Sequence, residues 1–200
     1  MSIFDLSGRV AVITGGNGGI GLGIAQALAG AGCNVSIWGR NADKNKSAAA
    51  TMTGCTGKVD TRICDVSDSA SVKAAMAATL DAFGRVDGCF ANAGIGGGGR
   101  HAFIDRTEEQ WRTMFATNLD GVFHVFQAAA RHMTERATAG DGFGRLVATS
   151  SLASLFARRA TSIMPAQRLP SMRCAARSRS NSRATASPLT PSCRAGSRAT

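Results

Sequence analysis

The residues most able to do chemistry in this chain stand near its start. Gly16-Asn17-Gly18-Gly19-Ile20-Gly21 fits the spacing G-x-G-x-x-G, a pattern that carries meaning only where a strand runs into it and a helix leaves it. In that setting the glycines permit a tight turn and let the backbone approach a pyrophosphate, while the amides that open the helix hold the anion. The chemistry on offer is the cradling of a dinucleotide. Thr14-Gly15 opens a second register in the same loop, Thr14-Gly15-x-x-x-Gly19-x-Gly21. Other reactive side chains are less organised. His101, His124 and His132 have no acid or cysteine at catalytic spacing, and the cysteines at 33, 55, 64, 89, 174 and 193 form neither a C-x-x-C pair nor a metal-ligand pattern. The cysteines read as reduced thiols, mostly in the core.

A phosphate loop needs its strand and its helix. Arg-Val-Ala-Val-Ile-Thr at 9–14 is a short β-branched run, the pattern of a strand covered on both faces, and a helical pattern follows over 20–31. Further strands are expected over 34–38, 59–64, 86–91 and 144–149. Helices are expected over 42–52, over 69–83 with Val72, Ala75, Met76 and Leu80 at helical spacing, and over 119–135. Another should open near Thr107, because Thr107-Glu108-Glu109-Gln110 places a Gln three residues after a Thr cap. Strand and helix alternating at this spacing predict an α/β fold with a doubly wound parallel sheet.

Composition divides the chain in two. A length of 200 residues with 44% hydrophobic content supports one domain with a real core and excludes a wholly disordered or collagen-like chain. The net charge of +10 would point to nucleic acid or a membrane surface if it were spread evenly. Residues 157–200 instead hold nine Arg, no Lys and no acid, whereas 1–156 carry 14 basic and 13 acidic side chains. All four prolines also fall in that tail, and all nine Phe and both Trp fall before it. The expected organisation is therefore a folded domain over 1–156 and a basic Arg/Ser/Ala/Pro tail over 157–200, too polar and Pro-broken to order. The opening Met-Ser-Ile-Phe-Asp-Leu has an acid where a signal peptide carries basic residues, and no apolar run reaches about 18 residues. The expectation is a soluble cytoplasmic protein with no membrane partner.

In the Thr14–Gly21 register the sequence resembles the short-chain dehydrogenase/reductase family, whose other motifs follow in order. Asp65-Val66 stands at the end of the third strand, where the family sets an acid and its neighbour against the adenine ring. Asn92-Ala93-Gly94 ends the fourth strand like the family's Asn-Ala-Gly motif beside the cofactor. Thr117-Asn118-Leu119 is similar to the family's Asn motif, and Gly-Arg-Leu-Val-Ala-Thr-Ser-Ser at 144–151 to its serine strand. The likeness covers residues 7 to about 156. It implies a sheet ordered 3-2-1-4-5, a small alcohol or ketone as substrate, and hydride transfer with a nicotinamide cofactor. It further implies that Gly15, Asn17, Gly18, Gly19, Ile20, Gly21, Asp65, Val66, Asn92, Ala93 and Gly94 bind that cofactor and that Asn118 and Ser151 are catalytic. Taken singly, Asp65 also reads as a strand-end or cap residue, Asn118 as a locally satisfied helix amide and Ser151 as a turn residue.

The end of the second strand bears on which cofactor. An Asp or Glu there would hydrogen-bond the ribose hydroxyls and repel a 2′-phosphate, which selects NAD. This chain has Gly39-Arg40. A guanidinium beside a phosphate is worth up to about 4 kcal/mol per unit charge in a partly solvated site, so NADP is the expected cofactor, with NAD the alternative. Arg40 stacked on the adenine face would give no such preference.

The family pattern breaks after Ser151. The family carries a Tyr thirteen positions after the serine and a Lys four positions later. That Tyr moves a proton to or from the substrate oxygen and needs a neighbouring cation to work near neutrality. The serine hydrogen-bonds the carbonyl, and the Asn supports a water that relays protons to the Lys. The positions expected for Tyr and Lys hold Met164 and Arg168, and the chain has no Tyr at all. A single lost base near codons 156–160 accounts for this. Each true codon then joins the last base of one residue to the first two of the next. Ile163 and Met164 permit Tyr at position 164, Met164 and Pro165 force Ala at the next, and Gln167 and Arg168 permit Lys at position 168. Cys193 to Gly196 permit Pro-Gly-Trp, similar to a turn the family carries further on. The expectation is a frameshifted chain cut off after the catalytic serine. It should lack strands six and seven and the helix that helps build the family's homo-oligomers, and should leave apolar surface on strand five and the Leu119 helix uncovered. Two rivals remain: a non-catalytic dinucleotide-binding module, and a nucleic-acid-associated protein acting through its tail. The tail's lack of aromatics and of Lys counts against the second.

Overall fold

The five residues Val10–Thr14 form strand β1, buried at every position, as a β-branched run covered by helices on both faces must be. The computed structural model describes residues 4–96 and 103–151. After β1 come α1 (Gly19–Gly30), β2 (Asn34–Gly39), α2 (Ala42–Ala50), β3 (Val59–Ile63), α3 (Ser69–Phe83) and β4 (Gly88–Ala91). Then follow α4 (Glu108–Phe115), a π-helical turn (Ala116–Asp120), α5 (Gly121–Thr138) and β5 (Arg145–Ala148). All pairings are parallel, in the order β3-β2-β1-β4-β5. This is the doubly wound α/β sheet and the order that the resemblance implies.

Alternation along β1 separates two cores. Val10 and Val12 face Val72, Met76, Val125 and Ala129 from α3 and α5, while Ala11 and Ile13 face Ala25 and Ala29 from α1, Ala48 from α2 and Met52 from the turn after it. Successive strand residues point to opposite faces, so one five-residue strand serves both layers. The expected cap on α4 is present in full: Thr107 Oγ1 accepts from the Gln110 amide and Gln110 returns a bond to the Thr107 backbone.

Two boundaries differ from expectation for identifiable reasons. The expected helix 119–135 is preceded by a π turn in which the Gly121 N–H reaches the Ala116 carbonyl, an insertion that apolar periodicity does not register. Strand β4 begins two residues later than expected because the Val86 N–H donates to His132 Nε2 at 3.2 Å and the Val86 carbonyl accepts from Arg136 at 2.7 Å. Strand β5 alternates exposed and half-buried residues, with Val147 43% and Phe123 of α5 59% exposed, the two elements expected to be left uncovered. The expected loss of strands six and seven and disorder of the tail concern residues outside those described. Among the described residues no helix is long and apolar enough to cross a membrane. Cys33, Cys64 and Cys89 are buried free thiols; burial pushes the first two up to about 11 and the third to about 12.

The His132 bond makes stability depend on pH. Burial, then the Arg136 charge, hold the imidazole pKa below its ordinary value, against the opposing pull of Glu135 and Asp87, and neutral Nε2 is the form that accepts from Val86. A histidine whose folded pKa is lowered contributes stability above the unfolded value of about 6.5 and loses it as pH falls through the folded one. Denaturant midpoints should therefore drop between about pH 7 and pH 5, and His132→Gln should flatten that drop.

Candidate functional site

Doubly wound sheets bind ligands beyond the carboxyl ends of their strands, where the order reverses. Here that point lies between β1 and β4. A cleft of about 340 Å³ opens there, lined by Gly15, Asn17, Trp38, Gly39, Arg40, Asn41, Lys44, Cys64, Asp65, Val66, Ala93, Gly94, Ile95 and Thr117.

The glycine loop forms the inner wall. Gly15 and Gly19 adopt φ of +63° and +51°, which disfavours any residue with a Cβ. A Cβ at Gly21 would overlap the Gly15 carbonyl and the Asn92 side chain, whereas at Gly18 and Gly19 it would meet nothing within 4 Å. The loop is thus tight where it packs and open before the α1 N-terminus. Ile20, in the first turn of α1, is 68% exposed.

Thr14 ties this loop to the end of β4. Its buried hydroxyl accepts from the Asn92 and Ala93 amides, both at 3.0 Å. Asn92 Nδ2 donates to the Thr14 carbonyl at 3.1 Å, and Asn92 Oδ1 accepts from Thr149 Oγ1 at 3.0 Å. The ends of β1, β4 and β5 are therefore locked together. One turn further, Asn118 clamps the strand exit: Oδ1 accepts from Ile95 N–H at 2.8 Å and Nδ2 donates to the Ile95 carbonyl at 3.0 Å. This buried amide belongs to the π turn, and Gly121 lets α5 approach Val66 closely, since a Cβ there would meet Val66 Cγ2 at 2.7 Å.

The outer wall is charged. Arg40 follows β2 and pairs with Asp65 at 3.9 Å, both half-exposed or more. Asp65 also accepts from the Ser67 amide and hydroxyl at 2.9 and 2.6 Å, and the Ser67 hydroxyl is the main reason its carboxyl lies below the usual range, with Arg40 contributing less. Trp38 lies beneath, its Nε1 donating to Ser36 and Thr79 hydroxyls at 3.1 Å each.

Of the residues expected to bind a cofactor, Gly15, Asn17, Arg40, Asp65, Val66, Ala93 and Gly94 line this one cleft. Gly18, Gly19, Ile20, Gly21, Asn92 and Asn118 support or flank it without lining it, and Ser151, half-buried beyond β5, is not among its lining residues. Sequence reasoning missed Lys44 on the rim and Asn45 behind it. A polar residue on an otherwise apolar helix face, Asn45 with Ala48 and Met52, was the available signal.

Comparison with known proteins agrees with this geometry. Residues 9–165 match the family model for short chain dehydrogenase. The chain is 37% identical over 152 residues to the 3-oxoacyl-acyl-carrier-protein reductase of Chlamydia muridarum, covering 75% of this chain and 58% of that protein. It is 37% identical over 157 residues to the gluconate 5-dehydrogenase of Gluconobacter oxydans, covering 78% of this chain and 58% of that one. The solved structure of an NAD+-bound xylitol dehydrogenase matches with a TM-score of 0.75 at 26% identity, over 84% of this chain and 61% of its own. The chain spans less than two thirds of the length of these relatives. With a parallel 3-2-1-4-5 sheet, a glycine loop at its switch point and a family match over most of its length, the chain belongs to the short chain dehydrogenase family.

Proposed function

We propose that this chain is the dinucleotide-binding part of an NADP-dependent oxidoreductase that interconverts a small alcohol and ketone. The observation that carries this reading is the junction, in one cleft, of the Gly15–Gly21 loop with a rim that ends in Gly39-Arg40 and holds no acid at position 39. The loop fits a pyrophosphate because it is open before the α1 N-terminus and closed to any Cβ behind it. Arg40 would hold the 2′-phosphate, Asp65 and Val66 would flank the adenine, and the Asn92–Gly94 strand exit would border the nicotinamide end. A nicotinamide dinucleotide, when bound, gives or takes the hydride. Asn118 acts by fixing Ile95 beside that end, and Ser151 would donate a hydrogen bond to the substrate oxygen.

The proton for that oxygen has no source at positions 164 and 168 as written. We attribute this to a lost base near codons 156–160, supported by the abrupt composition change and by the codons that Ile163, Met164, Gln167 and Arg168 permit. Such a chain binds its cofactor and turns over little or nothing.

Calorimetric titration of the full chain with NADP+ and NAD+ tests the binding function. NADP+ should bind at least about tenfold tighter, the equivalent of one charge contact, and Arg40→Asp should reverse the order. Failure to bind either dinucleotide, or a preference that Arg40→Asp leaves unchanged, would overturn it.

A further inference from the structure

Asn45 is the buried polar side chain at the site that the proposed function does not use. It is 1% exposed, in the first turns of α2, on the face that Ala48 and Met52 continue into the apolar core. An amide so placed is destabilising unless every polar atom finds a partner, and here each does. Nδ2 donates to the Gly39 carbonyl at the end of β2 and to the Arg62 carbonyl in β3, both at 2.9 Å. Oδ1 accepts from Asn17 Nδ2 of the glycine loop at 2.7 Å. One side chain thus joins the loop to both strand ends that form the charged rim.

This clamp lies across Gly39. A Cβ there would overlap Asn17 Nδ2 and stand 2.5 Å from Asn45 Oδ1, so position 39 can carry an acid only if the Asn17–Asn45 pair is broken. The clamp therefore keeps closed the position from which a carboxylate would repel a phosphate. The neighbouring charges complete the picture. Arg40 is shared with Asp65, whereas Lys44, which lines the same cleft, forms no ion pair among the described residues. Its backbone is fixed by the Asn41 side chain, which caps α2 by accepting the Lys44 N–H at 2.9 Å.

We propose that Lys44 and Asn45 set the preference of this cleft for a phosphorylated ribose: Lys44 supplies the cation not already engaged by an acid, and Asn45, by bonding Asn17 and the ends of β2 and β3, holds the rim that carries Arg40 and Lys44 against the glycine loop. Lys44 would touch the phosphate, and Asn45 is a positioning residue. The inference rests on the dinucleotide-binding function proposed above and extends it to the residues that choose between the two cofactors.

The test is the ratio of NADP+ to NAD+ affinity in the full chain, with 2′-AMP and 5′-AMP as minimal probes that lack the nicotinamide. Lys44→Gln should weaken NADP+ and 2′-AMP about tenfold while NAD+ and 5′-AMP change less than about twofold. Asn45→Leu should lower the NADP+/NAD+ ratio. Asn17→Ala, which leaves the α2 core untouched, should also lower it, and the double variant should do no more than Asn45→Leu alone, because the bond that Asn17→Ala breaks is one of the three that Asn45→Leu removes. Lys44→Gln weakening both dinucleotides equally, or neither, overturns the role of Lys44. Unchanged ratios in Asn17→Ala overturn that of Asn45. Both failures can occur in a chain that still binds NADP+, so they are distinct from the failure of the cofactor reading, in which the unaltered chain binds neither dinucleotide and both proposals fall.

Discussion

Inserting one base between codons 156 and 160 is expected to turn a chain with little or no turnover into one that oxidises NADPH against a ketone, with a gain of about 10²–10⁴ from the general acid alone. The reason lies in what positions 164 and 168 can do with a proton. Met164 has none to give, and the Arg168 guanidinium does not release its own below about pH 12. A Tyr at position 164 has a pKa near 10, and a Lys four residues on, one helical turn away, supplies the cation that brings it towards neutrality. The rest of the proposed machinery is already placed: Asn118 holds Ile95 by two hydrogen bonds, and Asn92 is bonded to both β1 and Thr149.

A control separates the frame from the two residues. Met164→Tyr with Arg168→Lys in the present frame should stay near background, because Pro165 and Pro170 then remain in and beside the segment, and proline in a helix interior removes a hydrogen bond and clashes with the preceding turn. The corrected chain with Phe in place of Tyr at position 164 should lose the gain. Loss of NADPH absorbance with a panel of small ketones reads all three. A corrected chain that binds NADPH yet reduces none of them, or reduces them equally well with Phe, sinks the lost-base account.

Local patterns made most of the fold legible in the sequence, while the features that went unread depend on distant partners. The β-branched run Val10–Thr14 and the cap at Thr107 declare themselves within a few residues. The π turn at Ala116–Asp120 does not, because one wider turn leaves the apolar spacing on either side intact. The cleft shows the same division. The glycine loop and Arg40 could be read from type and position. The spacing of Asn45 with Ala48 marks it as buried, but its role could not be read, because that role comes from Asn17, 28 residues away, and from Arg62, 17 residues away in the other direction. The Arg40–Asp65 pair was likewise invisible until β2 and β3 were seen to end side by side.

Asp87→Ala is expected to destabilise the chain by about 2–3 kcal/mol, at or below the low end of the range for a buried ion pair broken on one side, because Arg9 and Arg85 stay partly solvated and Arg85 and Arg136 keep Asp141. Asp87 lies at the opposite end of the sheet from the cleft, its side chain 2% exposed. It accepts from the Val10 amide at 2.9 Å and from Arg85 at 2.8 and 2.6 Å, and also from Arg136 at 3.0 Å and Arg9 at 3.2 Å. Its own backbone meets Val10 and Arg145, so one residue joins the starts of β1, β4 and β5. Burial alone would raise this carboxyl; the Arg85 and Val10 hydrogen bonds and the Arg136 charge outweigh it and hold the pKa below the usual value. A lowered folded pKa means that the contribution is complete above the unfolded aspartate value of about 3.9 and is lost as pH falls through the folded one. Asp141 touches the same two arginines, Arg85 and Arg136, but from an exposed position where water replaces it, so Asp141→Ala should move the urea midpoint far less. Because Asp87 is remote from Gly15 and Arg40, the residual folded fraction of Asp87→Ala should bind NADP+ with unchanged affinity. An equal shift in both variants would mean that Asp141 holds Arg85 and Arg136 as firmly as Asp87 does, and would sink the central role of the buried carboxylate.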